Sequence, residues 1–269
     1  GFEVDFAPVD EKGFVDVEAL GALIRPDTTL VSIMAVNNEI GSIQPIEAIS
    51  ELLADKPTIS FHVDAVQALA KIPTEKYITE RVDFATFSSH KFHGVRGVGF
   101  VYIKSGKKIT PLLTGGGQER DYRSTTENVA GIAATAKALR LSMEKLAIFT
   151  NKAGQMKLVI RQALLDYPDI FVFSDEEDFA PHILTFGIKG VRGEVIVHAF
   201  EDYDIFISTT SACSSKAGKP AGTLIAMGVD KDKAQSAVRL SLDLENDMSQ
   251  VEQFLTKLKL IYNQTRKVR

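Results

Sequence analysis

The sequence predicts an α/β protein with a mostly parallel sheet in a large domain and a small C-terminal α/β domain. Two observations carry this prediction. Short apolar runs rich in β-branched residues alternate with stretches of helical apolar spacing, and glycines or prolines separate many of them. Strands that alternate with helices favour a parallel sheet covered on both faces.

The first elements form one βαβ unit. Residues 29–36 are an apolar run with β-branched residues that predicts a strand, and residues 46–53 follow Pro45 with helical spacing. Residues 58–63 predict a second strand. Two further strands are expected at residues 82–87 and 99–103, before a tight loop at Gly115, Gly116 and Gly117.

The pattern changes after Asn128. A long helix is expected there, with one apolar face made of Val129, Ile132, Ala133, Ala136, Leu139, Met143 and Leu146. Strands near residues 182–188, 204–208 and 237–242 then alternate with helices near residues 194–200 and 248–264. The predicted domains are therefore a large domain at 1–126, and a linking helix with the small domain at 127–269.

Composition limits the possible functions. The 269 residues carry a formal net charge of -4, so no basic surface indicates direct binding of nucleic acid. The single cysteine, Cys213, excludes an internal disulfide, and no apolar run is long enough for a membrane span. A reducing, cytoplasmic setting is expected, without membrane partners.

Polar residues cluster where three predicted strands end. Asn38 follows the first strand, Asp64 and Gln67 follow the second, and the stretch from Ser88 to Lys91 follows the third. Ligands of open parallel sheets bind beyond the carboxyl ends of the strands, which predicts one crevice for these side chains. An acid and a lysine in such a place can hold pyridoxal phosphate, the acid at the pyridine nitrogen and the lysine as a Schiff base.

Each residue also has an ordinary interpretation. Asp64 is of a type that often caps a helix or forms a turn, a lone lysine is usually exposed, and a lone cysteine is often a small buried apolar residue. His62, His93, His182 and His198 are interpreted as structural or solvated. No histidine spacing indicates a metal site, and we expect no metal.

The motifs taken together resemble a known family, the class V pyridoxal-phosphate enzymes, and within it the cysteine desulfurases. The resemblance spans nearly the whole chain and is carried by segments 36–41, 62–67, 88–91, 115–119, 123–124, 211–214 and 238–241, which read VNNEIG, HVDAVQ, SSHK, GGGQE, RS, SACS and VRLS. It implies the type I fold of pyridoxal-phosphate-dependent transferases. Members usually begin about a hundred residues earlier, and residues 1–6 resemble an alternating strand already under way. The large domain is therefore expected to be incomplete, and one interpretation of this chain is an inactive fragment.

The resemblance also implies roles for the cofactor-binding residues. Asp64 would keep the pyridine nitrogen protonated, while Gln67 and Asn38 would hydrogen-bond the ring hydroxyl. Lys91 would hold the cofactor and move protons at the substrate carbons, with His90 as a second proton carrier.

Further roles concern the phosphate, the substrate and the partner subunit. Ser88 and Thr126 would contact the cofactor phosphate, Thr126 in the partner subunit, which implies a homodimer. Arg239 would clamp the substrate carboxylate and Asn38 would contact the substrate. Thr125 stands where many relatives have glycine, and a β-branched residue would strain a backbone that requires positive φ.

Cys213 would complete the reaction implied by the resemblance. Its thiolate would take sulfur from L-cysteine as a persulfide, release L-alanine, and pass the sulfur to an iron-sulfur cluster scaffold or a tRNA-thiolating enzyme. Two alternatives remain at this point. One is another class V enzyme, an aminotransferase or a selenocysteine or cysteine-sulfinate lyase, and the other is an inactive fragment.

Overall fold

The computed structural model describes residues 1–210 and 222–267. The helices are α1 (Val17–Leu23), α2 (Ile46–Leu52), α3 (Val129–Glu144), α4 (Leu146–Leu165), α5 (Gly193–Glu201), α6 (Gly222–Ala226), α7 (Lys231–Gln235) and α8 (Met248–Lys267). The strands are β1 (Leu30–Met34), β2 (Ser60–Asp64), β3 (Phe84–Ser88), β4 (Gly99–Ile103), β5 (Ile170–Val172), β6 (Ile183–Ile188), β7 (Ser208–Thr209) and β8 (Ala237–Ser241). Short 3₁₀ turns lie at Thr74–Lys76 and Ser89–Phe92.

The chain divides into two compact units. The first unit contains Gly1–Arg25, Val36–Pro45 and Ala147–Arg269, and the second contains Pro26–Ala35 and Ile46–Leu146. The domain boundary expected after residue 126 stays a prediction, because compactness alone does not define an independently folding domain.

The second unit contains the mostly parallel sheet, in the order β1-β2-β3-β4. β1 pairs with β2 and β2 with β3 in parallel, which confirms the expected βαβ arrangement. β4 pairs antiparallel with β3. Only residues 89–98 connect them, and a parallel return requires a longer crossover.

The two faces of this sheet differ. Phe61, Val63 and Ala85 are fully buried on one face. The alternate residues of β2 and β3 are half-buried or exposed, so the expectation that both faces are covered was wrong for these strands. That second face carries polar side chains, of which His62 and Thr86 are half-buried and bonded to each other and Asp64 is exposed.

The first unit is built on the antiparallel sheet β5-β6-β8-β7. Every residue of β6 is buried, and the core packs this strand and β8 against α4, α5 and α8. Strand β7 is shorter than the strand expected at residues 204–208. Asp204 has φ +58° and its N–H bonds to Glu201 O, so this end of the segment is a turn and not a strand.

The strand expected at residues 2–6 is not formed. Phe2 and Phe6 are 91% and 88% exposed, and no strand among the described residues pairs with this segment. Alternating apolar and acidic residues favour a strand only where a neighbouring strand takes up the backbone hydrogen bonds.

The single long helix expected after Asn128 is instead two helices, α3 and α4, which meet at Lys145. The apolar face expected on α3 is mainly exposed, and Val129 is 72% accessible. The residues of α3 that pack are small, Gly131 and Thr135, because they lie against the 3₁₀ turn Ser89–Phe92.

A buried lysine in the first unit makes stability depend on pH. Lys157 is only 5% exposed and its Nζ donates to Ala180 O at 3.0 Å. Burial, reinforced by Arg161, lowers its pKa from 10.5 to about 8. Between pH 8 and pH 10.5 the unfolded chain therefore binds more protons than the folded chain. The free energy of unfolding should rise with pH over this range, by roughly 3 kcal/mol in all.

Lys157→Met should remove this part of the pH dependence. We expect urea unfolding at pH 7.5 and pH 10 to give a smaller difference for the variant than for the unchanged protein. Lys259→Met is the control, because Lys259 is an exposed residue of α8. An equal pH dependence in the protein and in Lys157→Met would contradict the assignment.

Candidate active site

Asp64 is the last residue of β2 and presents its carboxylate at the carboxyl edge of the parallel sheet. It pairs in register with Met34 of β1 and Thr86 of β3. Its side chain is exposed, and Oδ1 accepts a hydrogen bond from the Val66 N–H at 3.0 Å. This bond fixes the carboxylate at the strand end and leaves it open to a ligand. Gln67 follows in the same turn and is half-buried.

Lys91 lies at the same edge, on the 3₁₀ turn that follows β3. β2 and β3 are parallel neighbours, so Asp64 and Ser88 both end at this edge. Ser88 and Lys91 are half-buried and His90 is exposed. The predicted acid and lysine are therefore brought to neighbouring strand ends within one unit.

The turn that carries Lys91 is held by hydrogen bonds to hydroxyl groups of α3. Ser89 Oγ and Thr135 Oγ1 of α3 are 2.9 Å apart, and Ser142 Oγ donates to Phe92 O at 3.2 Å. The Ser89 N–H also bonds to Val98 O at 3.0 Å. Sequence reasoning missed these residues, although the small residues Gly131, Thr135 and Ser142 recur at helical spacing along α3.

Gly94 allows this turn to close. Its N–H donates to Ser89 O at 3.0 Å, and a Cβ at this position would lie 2.9 Å from Ser89 O and would collide with Ser89 Oγ. Gly94→Ala should therefore shift the turn, destabilise the protein by roughly 1–3 kcal/mol, and weaken retention of a ligand held by Lys91.

The measurements for Gly94→Ala are urea unfolding and the absorbance of bound pyridoxal phosphate. Gly154→Ala, on helix α4, is the control. A Cβ at this position would contact only the side chain of Pro181, at 4.0 Å, and would cause no clash. Equal stability and equal cofactor retention in both variants would contradict the steric argument.

A row of polar groups lies on the sheet face that carries Asp64. His62 Nδ1 is 2.8 Å from Ser32 Oγ and His62 Nε2 is 3.1 Å from Thr86 Oγ1. Burial lowers the pKa of His62, although the charge of Asp64 acts in the opposite direction. The structural interpretation of His62 fits its position between two strands.

Asn38 and Arg239 belong to the first unit. The Arg239 Nη1 donates to the main-chain oxygen of Asn38 at 2.8 Å, so the guanidinium supports the loop that carries Asn38. The Asn37 Oδ1 accepts from the N–H groups of Glu39 and Ile40, which closes the turn around Asn38. This supporting contact of Arg239 was not predicted.

The same loop is fastened to the start of α6. Glu39 Oε2 accepts from the Thr223 N–H at 3.0 Å, and Asn37 Nδ2 donates to Thr223 Oγ1 at 3.1 Å. Thr185 Oγ1 donates to Glu39 O at 2.5 Å. Loop residues 37–39 are thus held by α6, β6 and β8 within the first unit.

The remaining predicted residues have separate positions. Thr126 is exposed in the second unit, two residues before the α3 N-cap Asn128. The nearby Thr125 does not have positive φ, so the strain expected from replacing glycine is absent. Cys213 lies outside the described residues.

Residues 1–210 and 222–267 contain no group of three or more His, Cys, Asp or Glu side chains arranged to bind a metal ion. No helix in the same part of the chain is long and apolar enough to cross a membrane.

The second unit supplies the donor chemistry that pyridoxal 5′-phosphate requires. The exposed carboxylate of Asp64 suits the pyridine nitrogen, the amine of Lys91 suits the aldehyde, and the hydroxyl of Ser88 suits a phosphate oxygen. All three lie at or just beyond the carboxyl ends of neighbouring parallel strands. These residues therefore fit the cofactor.

Comparison with known proteins agrees with this chemistry. The profile of the family described as aminotransferase class-V matches residues 1–254. A NifS/IcsS protein homolog of Lactobacillus delbrueckii subsp. bulgaricus is 51% identical over all of this chain and 70% of its own length. Cysteine desulfurase IscS of Clostridium botulinum (strain Hall) is 38% identical over all of this chain and 68% of its own length.

Solved structures give the same result. A NifS-like protein matches 98% of this chain and 69% of its own chain with a TM-score of 0.89 and 37% identity. SspA in complex with cysteine matches 92% of this chain and 68% of its own chain, with a TM-score of 0.74 and 25% identity. The expected fold class is confirmed, and the chain belongs to the class-V aminotransferase family, whose cofactor is pyridoxal 5′-phosphate.

Proposed function

We propose that this protein is a pyridoxal-phosphate-dependent cysteine desulfurase, which converts L-cysteine to L-alanine and transfers the sulfur to Cys213. The observation that carries the proposal is the position of Asp64 and Lys91 at neighbouring parallel strand ends in one unit. The relatives named cysteine desulfurase, which match all of this chain, favour this reaction over another class V activity.

The cofactor, when bound, supplies an electron sink for the carbons of the substrate. Asp64 would place a negative charge at the pyridine nitrogen and favour its protonated form. Lys91 would hold the cofactor through its amine and would move protons at the substrate carbons. His90, exposed beside it, is the second proton carrier.

The other predicted residues bind and orient. Gln67 would donate to the ring hydroxyl oxygen and Ser88 to the phosphate, and the role expected for Asn38 at the ring hydroxyl stays a prediction. Arg239 would clamp the substrate carboxylate, a role that suits the planar guanidinium.

Cys213 accepts the sulfur. The substrate Cβ–S bond breaks and an S–S bond forms at the Cys213 thiolate, while the electron pair and a proton go to the substrate carbon, so that alanine leaves. Cys213 is the only cysteine of the chain, so no second thiol competes for the sulfur within it.

The cellular context forms part of the proposal. We infer a homodimer in which Thr126 reaches the partner's cofactor phosphate, and its exposure beside α3 is compatible with that role. The sulfur acceptor would be an iron-sulfur cluster scaffold or a tRNA-thiolating enzyme. A cytoplasmic location follows from a catalytic thiol that must remain reduced.

The test is an absorbance spectrum of the protein with added pyridoxal 5′-phosphate, before and after L-cysteine, together with assays of alanine and of protein-bound sulfur. We expect a band of covalently bound cofactor, a spectral change with L-cysteine, and equal amounts of alanine and transferable sulfur. Alanine formation without sulfur on the protein would exclude the proposed transfer.

A further inference from the structure

Two hydroxyl groups of α3 hold the ends of the 3₁₀ turn that carries Lys91. At the first residue of the turn, Ser89 Oγ lies 2.9 Å from Thr135 Oγ1. At its last residue, Phe92 O accepts a hydrogen bond from Ser142 Oγ at 3.2 Å. Thr135 and Ser142 are seven residues apart, so they lie on one face of the helix. Lys91 is thus placed between two points of attachment to α3.

The direction of the hydrogen bond between Ser89 and Thr135 follows from the other partner of Thr135. Thr135 Oγ1 lies 2.8 Å from Gly131 O, and a carbonyl oxygen can only accept, so the single hydroxyl hydrogen of Thr135 is used there. Ser89 must therefore donate to Thr135. Ser89 is 0% exposed and Thr135 is 6% exposed, so water does not offer the Ser89 hydroxyl another acceptor.

Two glycines let α3 and this turn approach closely enough for the bond. A Cβ on Gly131 of α3 would lie 2.8 Å from Val98 Cγ2, and a Cβ on Gly94 would collide with Ser89 Oγ. The Ser89 hydroxyl therefore has a confined position, and a shift of the turn would break its bond to Thr135.

We propose that Thr135 is a positioning residue for the proposed reaction: it binds the Ser89 hydroxyl, fixes the turn, and so places the Lys91 amine where it meets the cofactor aldehyde. Lys91 lies only two residues after Ser89, so a shift at Ser89 moves the Lys91 backbone with it. A misplacement of about 1 Å can slow a reaction roughly 100-fold. The inference rests on the role proposed for Lys91.

Two variants remove this bond with different effects on stability. Thr135→Val leaves the buried Ser89 hydroxyl without an acceptor, whereas Ser89→Ala leaves Thr135 bonded to Gly131 O and creates no unpaired donor. Thr135→Val should therefore be the less stable variant in urea unfolding. Both variants lose the attachment of the turn, so both should affect Lys91 equally. Thr135→Ser retains the hydroxyl and should behave like the unchanged protein.

Helix α2 offers a matched control, because it contains a hydroxyl pair of the same kind. Ser50 Oγ donates to Ile46 O at 2.7 Å and lies 2.7 Å from Thr79 Oγ1. Thr79 precedes the amino end of β3, whereas Lys91 follows its carboxyl end. Ser50→Ala therefore removes a buried helix hydroxyl with the same bonding pattern and should leave Lys91 unchanged.

The first test uses the chain without cofactor and follows hydrogen exchange at the Gly94 N–H. This group donates to Ser89 O at 3.0 Å and reports the closure of the turn. We expect exchange to be about fivefold faster in Ser89→Ala and in Thr135→Val, the factor that corresponds to one net hydrogen bond, and unchanged in Ser50→Ala. Equal exchange in all of these proteins would overturn the inference.

The second test adds pyridoxal 5′-phosphate and borohydride, and measures by mass spectrometry how fast the cofactor becomes fixed on Lys91. We expect the rate to fall by roughly 10- to 100-fold in Ser89→Ala and in Thr135→Val. It should be unchanged in Thr135→Ser and in Ser50→Ala. The double variant with Ser89→Ala and Thr135→Val should be no slower than either single variant, because both remove the same bond.

The outcomes separate positioning from stability. Rates that follow stability, with Thr135→Val slow and Ser89→Ala normal, would identify a merely structural residue and overturn the inference. If Thr135→Val does not fold, Ser89→Ala decides alone, and normal exchange with a normal rate would overturn it. An unchanged protein that fixes no cofactor on Lys91 would contradict the proposed function, while hydrogen exchange would still decide whether Thr135 holds the turn.

Discussion

Lys91→Ala should abolish covalent attachment of pyridoxal 5′-phosphate and lower turnover of L-cysteine by at least about 100-fold, the contribution of one positioned proton carrier. Only a primary amine can condense with the cofactor aldehyde. Lys91 follows β3 at the carboxyl edge of the parallel sheet, where Asp64 also lies. The measurements are the absorbance of the bound cofactor and alanine production.

Lys108→Ala is the matched control, because Lys108 is an exposed lysine outside the proposed site. It should keep the band and the activity. If Lys91→Ala retained the band of covalently bound cofactor, another amine would hold the cofactor and the assignment of Lys91 would be wrong.

Cys213→Ser should separate sulfur transfer from the cofactor chemistry. The thiol acts only after the substrate has bound, so the variant should bind cofactor normally and give the first spectral change with L-cysteine. Protein-bound sulfur should fall to background, because the serine hydroxyl cannot form a persulfide. Since the chain has one cysteine, labelling with a thiol-reactive probe reports this site alone.

Two outcomes of this experiment would change the interpretation. Loss of cofactor from Cys213→Ser would identify a structural cysteine. Undiminished alanine production by the variant would favour an aminotransferase or lyase that does not use Cys213.

The strands that place Asp64 and Lys91 at one edge of the sheet were predictable from local sequence. The apolar runs before Asp64 and Ser88 predict strands, and a short helix between strands predicts a parallel pairing, which is what β1 and β2 form. Polar residues at consecutive strand ends then predict a shared edge. None of these steps requires knowledge of distant contacts.

The hydrogen bonds between side chains that lie far apart in the sequence could not be predicted. The contact of Ser89 with Thr135 and the bonds of His62 to Ser32 and Thr86 join residues from separate elements, and periodicity does not encode them. The apolar face of α3 illustrates the same limit, since helical spacing identifies a face but not its neighbour, and here the small residues pack instead.

The attachment of Thr223 to Glu39 and Asn37 has a consequence for the range of the sulfur carrier. Cys213 and Thr223 are ten residues apart, so the thiol can lie no farther than about 35 Å from this anchor, whatever path the chain takes. Both the donor of the sulfur and its acceptor must reach the thiol inside that radius. Thr210 on the other side is described and buried, and it lies only three residues before Cys213, so the tighter limit on the distance between these two Cα atoms, about 11 Å, comes from that side of the chain.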